Sequence, residues 1–249
     1  MMHVSRTAIV IPCYNERKRL HLAAFESFLL RSSAQFIFVD DGSTDGTADL
    51  IERFRSGKED RVDILALKVN QGKAEAVRRG MELALDRMFD FVGFWDSDLA
   101  TPLDAIPQFM DIFSKFPQVD MVFGARVKLL GHHVERRAIR HYLGRMFATV
   151  ASLVLQLPVY DTQCGAKIFR VGPQTRELTA QAFKSRWIFD VELIQRFIHA
   201  AGARDAAAAR MYEYPLDSWE DVGGSKVKPM DFLIAFRDLL RIYWVDRRR

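Results

Sequence analysis

Two carboxylates separated by one residue, Asp96-Ser97-Asp98, stand where the apolar run Phe91-Val92-Gly93-Phe94-Trp95 breaks off, and Pro102 follows soon after. A short continuous apolar run reads as a buried strand, and proline suits the first turn of a helix, where its missing N–H costs nothing. Asp96 and Asp98 are therefore expected in the loop that leaves the carboxyl end of a parallel strand, where open α/β sheets bind ligands. Carboxylate oxygens suit Mg²⁺ or Mn²⁺, ions that bind through one or two carboxylates together with substrate phosphates. A solvated turn is the alternative reading of the same residues.

Three further groups carry chemistry. Asp40-Asp41-Gly42-Ser43 ends the apolar run Phe36-Ile37-Phe38-Val39. An acidic side chain there accepts hydrogen bonds from a ribose or a base edge, and Gly42 permits close backbone approach; an Asx-turn before a helix is the plainer reading. Gly72-Lys73 is a turn with a cation suited to phosphate, although Gly-x-x-x-x-Gly-Lys-Ser/Thr is missing, so it is no P-loop. Arg126 closes the strand expected over 120–125, where a guanidinium grips a phosphate with two hydrogen bonds or makes a surface salt bridge.

The elements that must position these groups alternate. Strands are expected over 7–12, 36–39, 62–67 and 91–95, with helices over 16–31, 74–87 and from Pro102 to about 116, the pattern of a parallel sheet covered on both faces. A basic-to-apolar helix is expected over 135–157, with Arg136, Arg137, Arg140, His141 and Arg145 in its first half. Later come a strand at Ile168-Phe169, a helix starting near Trp187, a strand over 211–215 and an amphipathic helix over 229–244.

At 249 residues, 49% apolar and 27% charged, the chain fits one domain with a full core, or one domain and a small appendage. A net charge of +4 favours anionic partners such as phosphates or an acidic membrane surface, and no nucleic-acid motif accompanies it. Cys13 and Cys164 are too few and too far apart for a disulfide scaffold, which suits a reducing cytosol. The first residues lack the apolar region of a signal peptide, and no stretch has the 18 or so apolar residues of a membrane span.

Val10-Ile11-Pro12-Cys13-Tyr14-Asn15-Glu16, Asp40-Asp41-Gly42-Ser43-Thr44-Asp45-Gly46-Thr47, Asn70-Gln71-Gly72-Lys73 and Asp96-Ser97-Asp98 follow one another in the order and spacing of the inverting family 2 glycosyltransferases, and on these motifs the chain resembles that family. Asp161-Thr162-Gln163-Cys164-Gly165-Ala166-Lys167, Trp187-Ile188-Phe189-Asp190-Val191-Glu192 and Gly224-Ser225-Lys226-Val227 resemble the branch of dolichyl-phosphate β-glucosyltransferases and related polyprenyl-phosphate enzymes. The resemblance covers roughly 7–227. It implies the α/β GT-A fold, a Rossmann-like and mostly parallel sheet flanked by helices. That domain would span 1–228, with a nucleotide-binding half over 1–126 and an acceptor-binding half over 127–228, followed by an amphipathic helix with a basic tail over 229–249.

Carried over by position, the resemblance implies that Pro12, Tyr14 and Glu16 lie against base and ribose, with Asp41 or Asp40 on the uridine side. Asp96 would contact ribose or metal, Asp98 would be the principal ligand of Mg²⁺ or Mn²⁺, and Lys73 and Arg126 would lie near phosphates. The mannosyltransferase branch carries a Gln two residues beyond the second Asp; here that place is Ala100, which leans away from GDP-mannose.

An inverting transfer needs a nucleophile opposite the leaving nucleoside diphosphate and a cation to take up the charge developing there. A sugar hydroxyl would need a carboxylate base; a lipid phosphate is already anionic and needs positioning by cations. Asp161, ranked first by the resemblance, and Asp190 are the candidate bases, and each could instead cap a helix or pair with an arginine. The expected reaction moves glucose from UDP-glucose to a polyprenyl phosphate at the cytoplasmic membrane face. A transferase acting on a soluble or linked sugar hydroxyl, and a nucleotide-sugar-binding module without turnover, are the alternatives. The helices over 135–157 and 229–244 fit a peripheral membrane contact, core helices with solvated ends, or a homodimer face.

Overall fold

The structure, a computed structural model, describes residues 5–135, 138–186, 188–222 and 237–239. The side chains of Arg136, Arg137, Arg140 and His141, Trp187, the 224–227 motif, all but 237–239 of the helix expected over 229–244, and the basic end of the chain lie outside the described residues.

In chain order the elements are β1 (Thr7–Cys13), α1 (Leu22–Leu29), β2 (Gln35–Asp40), α2 (Thr47–Arg55), β3 (Val62–Ala66), α3 (Lys73–Asp86), β4 (Phe91–Trp95), α4 (Ala105–Lys115), β5 (Met121–Ala125), β6 (His133–Glu135), α5 (Ala138–Leu155), β7 (Ala166–Arg170), α6 (Pro173–Thr179), α7 (Phe189–Ala201), α8 (Arg204–Ala208), β8 (Met211–Pro215) and β9 (Ser218–Glu220). Seven strands form the central sheet in the order β3-β2-β1-β4-β7-β5-β8, and β6 pairs with β9 beside it. Within the central sheet only β7 is antiparallel to its neighbours, β4 and β5. The mostly parallel α/β sheet read from the sequence is thus the fold observed.

The apolar runs become central strands because both of their faces are covered. Every residue of β1, β4 and β5 is buried. Alternation sends Ala8, Val10, Ile37, Val39, Val92 and Phe94 into a core closed by α3, α5 and α7. Ile9, Ile11, Phe36, Phe38, Phe91 and Trp95 enter a second core under α1, α2 and α4. All the chemistry-bearing loops therefore leave one edge of a rigid slab.

Some boundaries differ from the periodicity. The helix expected from residue 16 starts only at Leu22, because Asn15 adopts φ 52° and residues 16–20 fold into a turn in which the N–H groups of Arg19 and Leu20 both donate to the Glu16 carbonyl at 2.8 Å. The strands β6 and β9 and the short helices α6 and α8 escape a period-based reading, since three to seven residues carry no resolvable period.

Candidate active site

The carboxyl ends of β1, β2, β4 and β5 open on the same edge, and the antiparallel sense of β7 brings its preceding loop, 161–165, to that edge as well. The exits of β1 and β2 are stitched together. The Asn15 N–H donates to the Ser43 hydroxyl and the Thr44 N–H to Asn15 Oδ1, both at 2.9 Å; the Glu16 N–H donates to the Thr47 hydroxyl at 2.9 Å. Pro12 is buried within β1, Tyr14 is 37% exposed at the rim, and Glu16 lies beside Arg19, its Oε2 3.3 Å from Nε.

Asp40 and Asp41 have different surroundings. The Asp41 carboxylate is buried and accepts the N–H groups of Gln71 and Gly72 at 2.7 and 2.8 Å and the Asn70 amide at 2.8 Å. Burial raises its pKa, against the pull of those hydrogen bonds and of Arg186. Asp41 thus holds the 70–72 turn. Asp40 is buried too; its Oδ2 accepts the Ser43 N–H at 3.2 Å, while Oδ1 has no hydrogen-bond partner among the described residues. A buried carboxylate oxygen left open is costly unless something donates to it.

The turn held by Asp41 delivers Lys73. Gly72, at φ 97°, precedes α3, and Lys73 is the first residue of that helix. Its ammonium pairs with the Asp96 carboxylate and lies 5.9 Å from the Phe189 ring centroid. Burial pulls the pKa of Lys73 down, but Asp96, Asp190 and Asp98 together more than offset it and raise it. Arg186, exposed at the mouth, donates from Nε to the Gln71 carbonyl at 3.0 Å.

Asp96 and Asp98 leave β4 as the sequence predicts. The Asp96 N–H donates to the Gly165 carbonyl at 3.0 Å, and a side chain at Gly165 would overlap both carboxylate oxygens of Asp96. Asp98 Oδ1 accepts the Ala100 N–H at 3.1 Å, and Arg19 Nη2 lies 3.7 Å from its Oδ2. Burial and the charge of Asp96 raise the pKa of Asp98. That repulsion between adjacent carboxylates is what a divalent cation would relieve, so the residues fit one. Among the described residues no three His, Cys, Asp or Glu side chains gather into a closed metal cage. Two carboxylates, with phosphate and water completing the shell, match Mg²⁺ or Mn²⁺ better than such a cage would.

Arg126 and Asp161 form a bidentate pair, with Nε and Nη2 at 2.6 and 2.8 Å from the two carboxylate oxygens, and the guanidinium carbon lies 5.3 Å from the Trp219 ring centroid. Burial opposes the Arg126 charge, but Asp161 outweighs it and raises the pKa further. Asp190, in the first turn of α7, lies 2.5 Å from the fully buried ammonium of Lys167, which also donates to the carbonyls of Thr162 and Cys164 at 3.1 and 2.6 Å. Both candidate bases are therefore engaged by cations, Asp161 by Arg126 and Asp190 by Lys167.

Glu213, on β8, was not among the residues marked by the sequence. Its carboxylate accepts the N–H groups of Tyr160 and Asp161, at 2.9 and 2.6 Å, and burial raises its pKa, with the charge of Asp161 adding to the rise. The one available signal is an acidic residue in the middle of Met211-Tyr212-Glu213-Tyr214-Pro215, a run that otherwise reads as a strand.

The model of glycosyl transferase family 2 matches residues 8–173, more than half of the chain. The dolichyl-phosphate beta-glucosyltransferase of Drosophila melanogaster is 30% identical, over 96% of this chain and 74% of its own length. That of Dictyostelium discoideum is 29% identical, over 94% of this chain and 73% of its own. Among solved structures, glucosyl-3-phosphoglycerate synthase from Mycobacterium tuberculosis in complex with Mn²⁺, UDP and glucosyl-3-phosphoglycerate matches with a TM-score of 0.65 at 18% identity, covering 96% of this chain and 78% of that one, a likeness of fold. The motifs at the strand exits lie on the sheet that those relatives lead one to expect, and the chain belongs to glycosyl transferase family 2, as a glycosyltransferase of GT-A fold.

Proposed function

We propose that this enzyme transfers glucose from UDP-glucose to a polyprenyl phosphate by a single inverting displacement, with Mg²⁺ or Mn²⁺ held by Asp96 and Asp98. The observation that carries the donor half is the convergence of the open Asp40 oxygen, the Lys73 ammonium and the Asp96-Asp98 pair on one sheet edge. The acceptor half rests on relatives named dolichyl-phosphate beta-glucosyltransferase, aligned over nearly the whole chain.

In this reading Asp40 accepts a hydrogen bond from the uracil or ribose, with Pro12, Tyr14 and Glu16 forming the floor beside it. A bound divalent ion would supply charge neutralisation for the departing diphosphate. Lys73 adds a second positive charge next to that position. The acceptor's phosphate is itself the nucleophile, and its charge at neutral pH removes the need for a general base. Asp161 then acts by aiming Arg126, which orients phosphate, and Asp190 by fixing Lys167 under the 161–165 loop. This suits the ion pairs in which both carboxylates stand.

A lipid acceptor places the reaction at a membrane surface. Among the described residues no helix is long and apolar enough to cross a membrane. Leu130 and, on α5, Met146 and Leu153 present exposed apolar side chains that suit a peripheral contact, at the cytoplasmic face in this proposal. The test supplies radiolabelled UDP-glucose with Mn²⁺ and either a polyprenyl phosphate or the matching polyprenol. Label is expected in the organic phase with the phosphate alone. Equal transfer to the alcohol, or transfer only to a soluble sugar, would refute the acceptor assignment.

A further inference from the structure

Asp96 already faces a cation that belongs to the protein. The Lys73 ammonium pairs with it, and Asp98 and Asp190 also bear on that ammonium. The backbone that carries Lys73 is fixed from both sides. Asp41 takes the N–H groups of Gln71 and Gly72 at 2.7 and 2.8 Å, while Arg186 donates to the carbonyls of Gln71 and Asn70 at 3.0 and 3.5 Å. What remains free to move is the flexible four-carbon stem of the side chain, whose surface is 38% exposed.

The position has a consequence for ion binding. A divalent ion on Asp96 and the Lys73 ammonium compete for one carboxylate, and with both present they repel at short range. An arriving diphosphate offers the ammonium another anionic partner. We propose that Lys73 is a built-in counter-ion that gives up Asp96 for the donor's diphosphate, so that divalent metal and nucleotide bind in concert. The proposal rests on the reading that Asp96 and Asp98 hold the metal, and it adds that an empty site discriminates against metal alone. Lys73 is then a competitor of the ion before the donor arrives and a phosphate ligand afterwards. By linkage, the factor by which nucleotide tightens metal is the factor by which metal tightens nucleotide.

The test measures free Mn²⁺ by electron paramagnetic resonance in titrations of wild type, Lys73→Met and Lys73→Arg, each with and without saturating UDP. Without UDP, Lys73→Met is expected to bind Mn²⁺ at least about fivefold more tightly than wild type, and the gain produced by UDP should shrink by a similar factor. Lys73→Arg keeps a cation on Asp96 and should follow the wild-type pattern. Lys73→Gln repeats the experiment if the methionine variant does not fold. Equal or weaker Mn²⁺ binding by the uncharged variant overturns the proposal. So does tighter binding with an unchanged UDP gain, which would mark Lys73 as a uniform field and not an exchanging ligand. Should Mn²⁺ bind to none of the proteins, with UDP or without, the metal assignment to Asp96 and Asp98 fails, and this proposal with it.

Discussion

Asp40 and Asp41 are adjacent in sequence, identical in chemistry and different in task, because Asp40 ends β2 while Asp41 opens the loop that follows it. Asp41 spends both oxygens on the backbone and amide of 70–72, whereas Asp40 keeps one buried oxygen open. Asp41→Ala should therefore lower stability by about 3 kcal/mol, the cost of buried donors left without an acceptor. Asp40→Ala should leave the unfolding midpoint nearly unchanged and weaken UDP binding by tenfold or so, about 1.4 kcal/mol. Thermal unfolding and titration calorimetry on the two variants check the assignment, and the reverse pattern would exchange the two roles. Glu213 makes a pH-dependent prediction. Its folded pKa lies above the ordinary 4.5, chiefly through burial. The proton-linked stability it contributes is complete below 4.5 and is lost as pH rises through the folded value. Glutamine has no charge to desolvate, so the unfolding midpoint of Glu213→Gln relative to wild type should become more favourable as pH rises from below 4.5 through the raised folded value. A flat or falling difference would contradict the burial assignment.

At the level of elements, the site depends on β7 running against its neighbours. That sense lands the 161–165 loop beside the exit of β4, where Asp96 and Gly165 share a hydrogen bond of 3.0 Å. Gly165 is required for space, since a methyl group there would collide with the Asp96 carboxylate. Gly165→Ala should push Asp96 aside and cut turnover by about two orders of magnitude, some 2.7 kcal/mol of transition-state stabilisation. Its unfolding midpoint should shift far less. Near-wild-type turnover would mean that Asp96 need not stand where it does. The exits of β1, β2 and β4 were legible in the sequence because each is a short apolar run stopped by acidic or polar residues. The insertion of β7 between β4 and β5 was not, because strand pairings between residues as far apart as Phe91 and Arg170, or Met121 and Phe169, leave no local period. Nor were the partners of Asp161 and Asp190: an ion pair such as Lys167 with Asp190 depends on which strand face meets which helix, and only the assembled sheet decides that.

For the whole molecule, the two cores press on opposite faces of one sheet and leave a single edge for chemistry. Two of the cations at that edge, Lys73 and Arg126, stand in partly desolvated positions among acidic partners, where charge interacts more strongly than in water. The net charge of +4 adds a general attraction for anionic donors and lipid surfaces. The motifs marked the sheet edge, and the folded chain sorted their members into groups proposed to face the donor, such as Asp40 and Lys73, and holding groups such as Asp41 and Asp190, which Glu213 joins from outside the motifs. The proposed chemistry requires Asp96 and Asp98 to join a divalent ion to a nucleoside diphosphate. Calorimetric titration of UDP into wild type and Asp98→Ala, with and without Mn²⁺, tests it directly. Mn²⁺ should tighten UDP binding by wild type at least about tenfold, or 1.4 kcal/mol, and should lose that effect in the variant. Equal affinities with and without the ion in wild type, or an undiminished Mn²⁺ effect in Asp98→Ala, would contradict it.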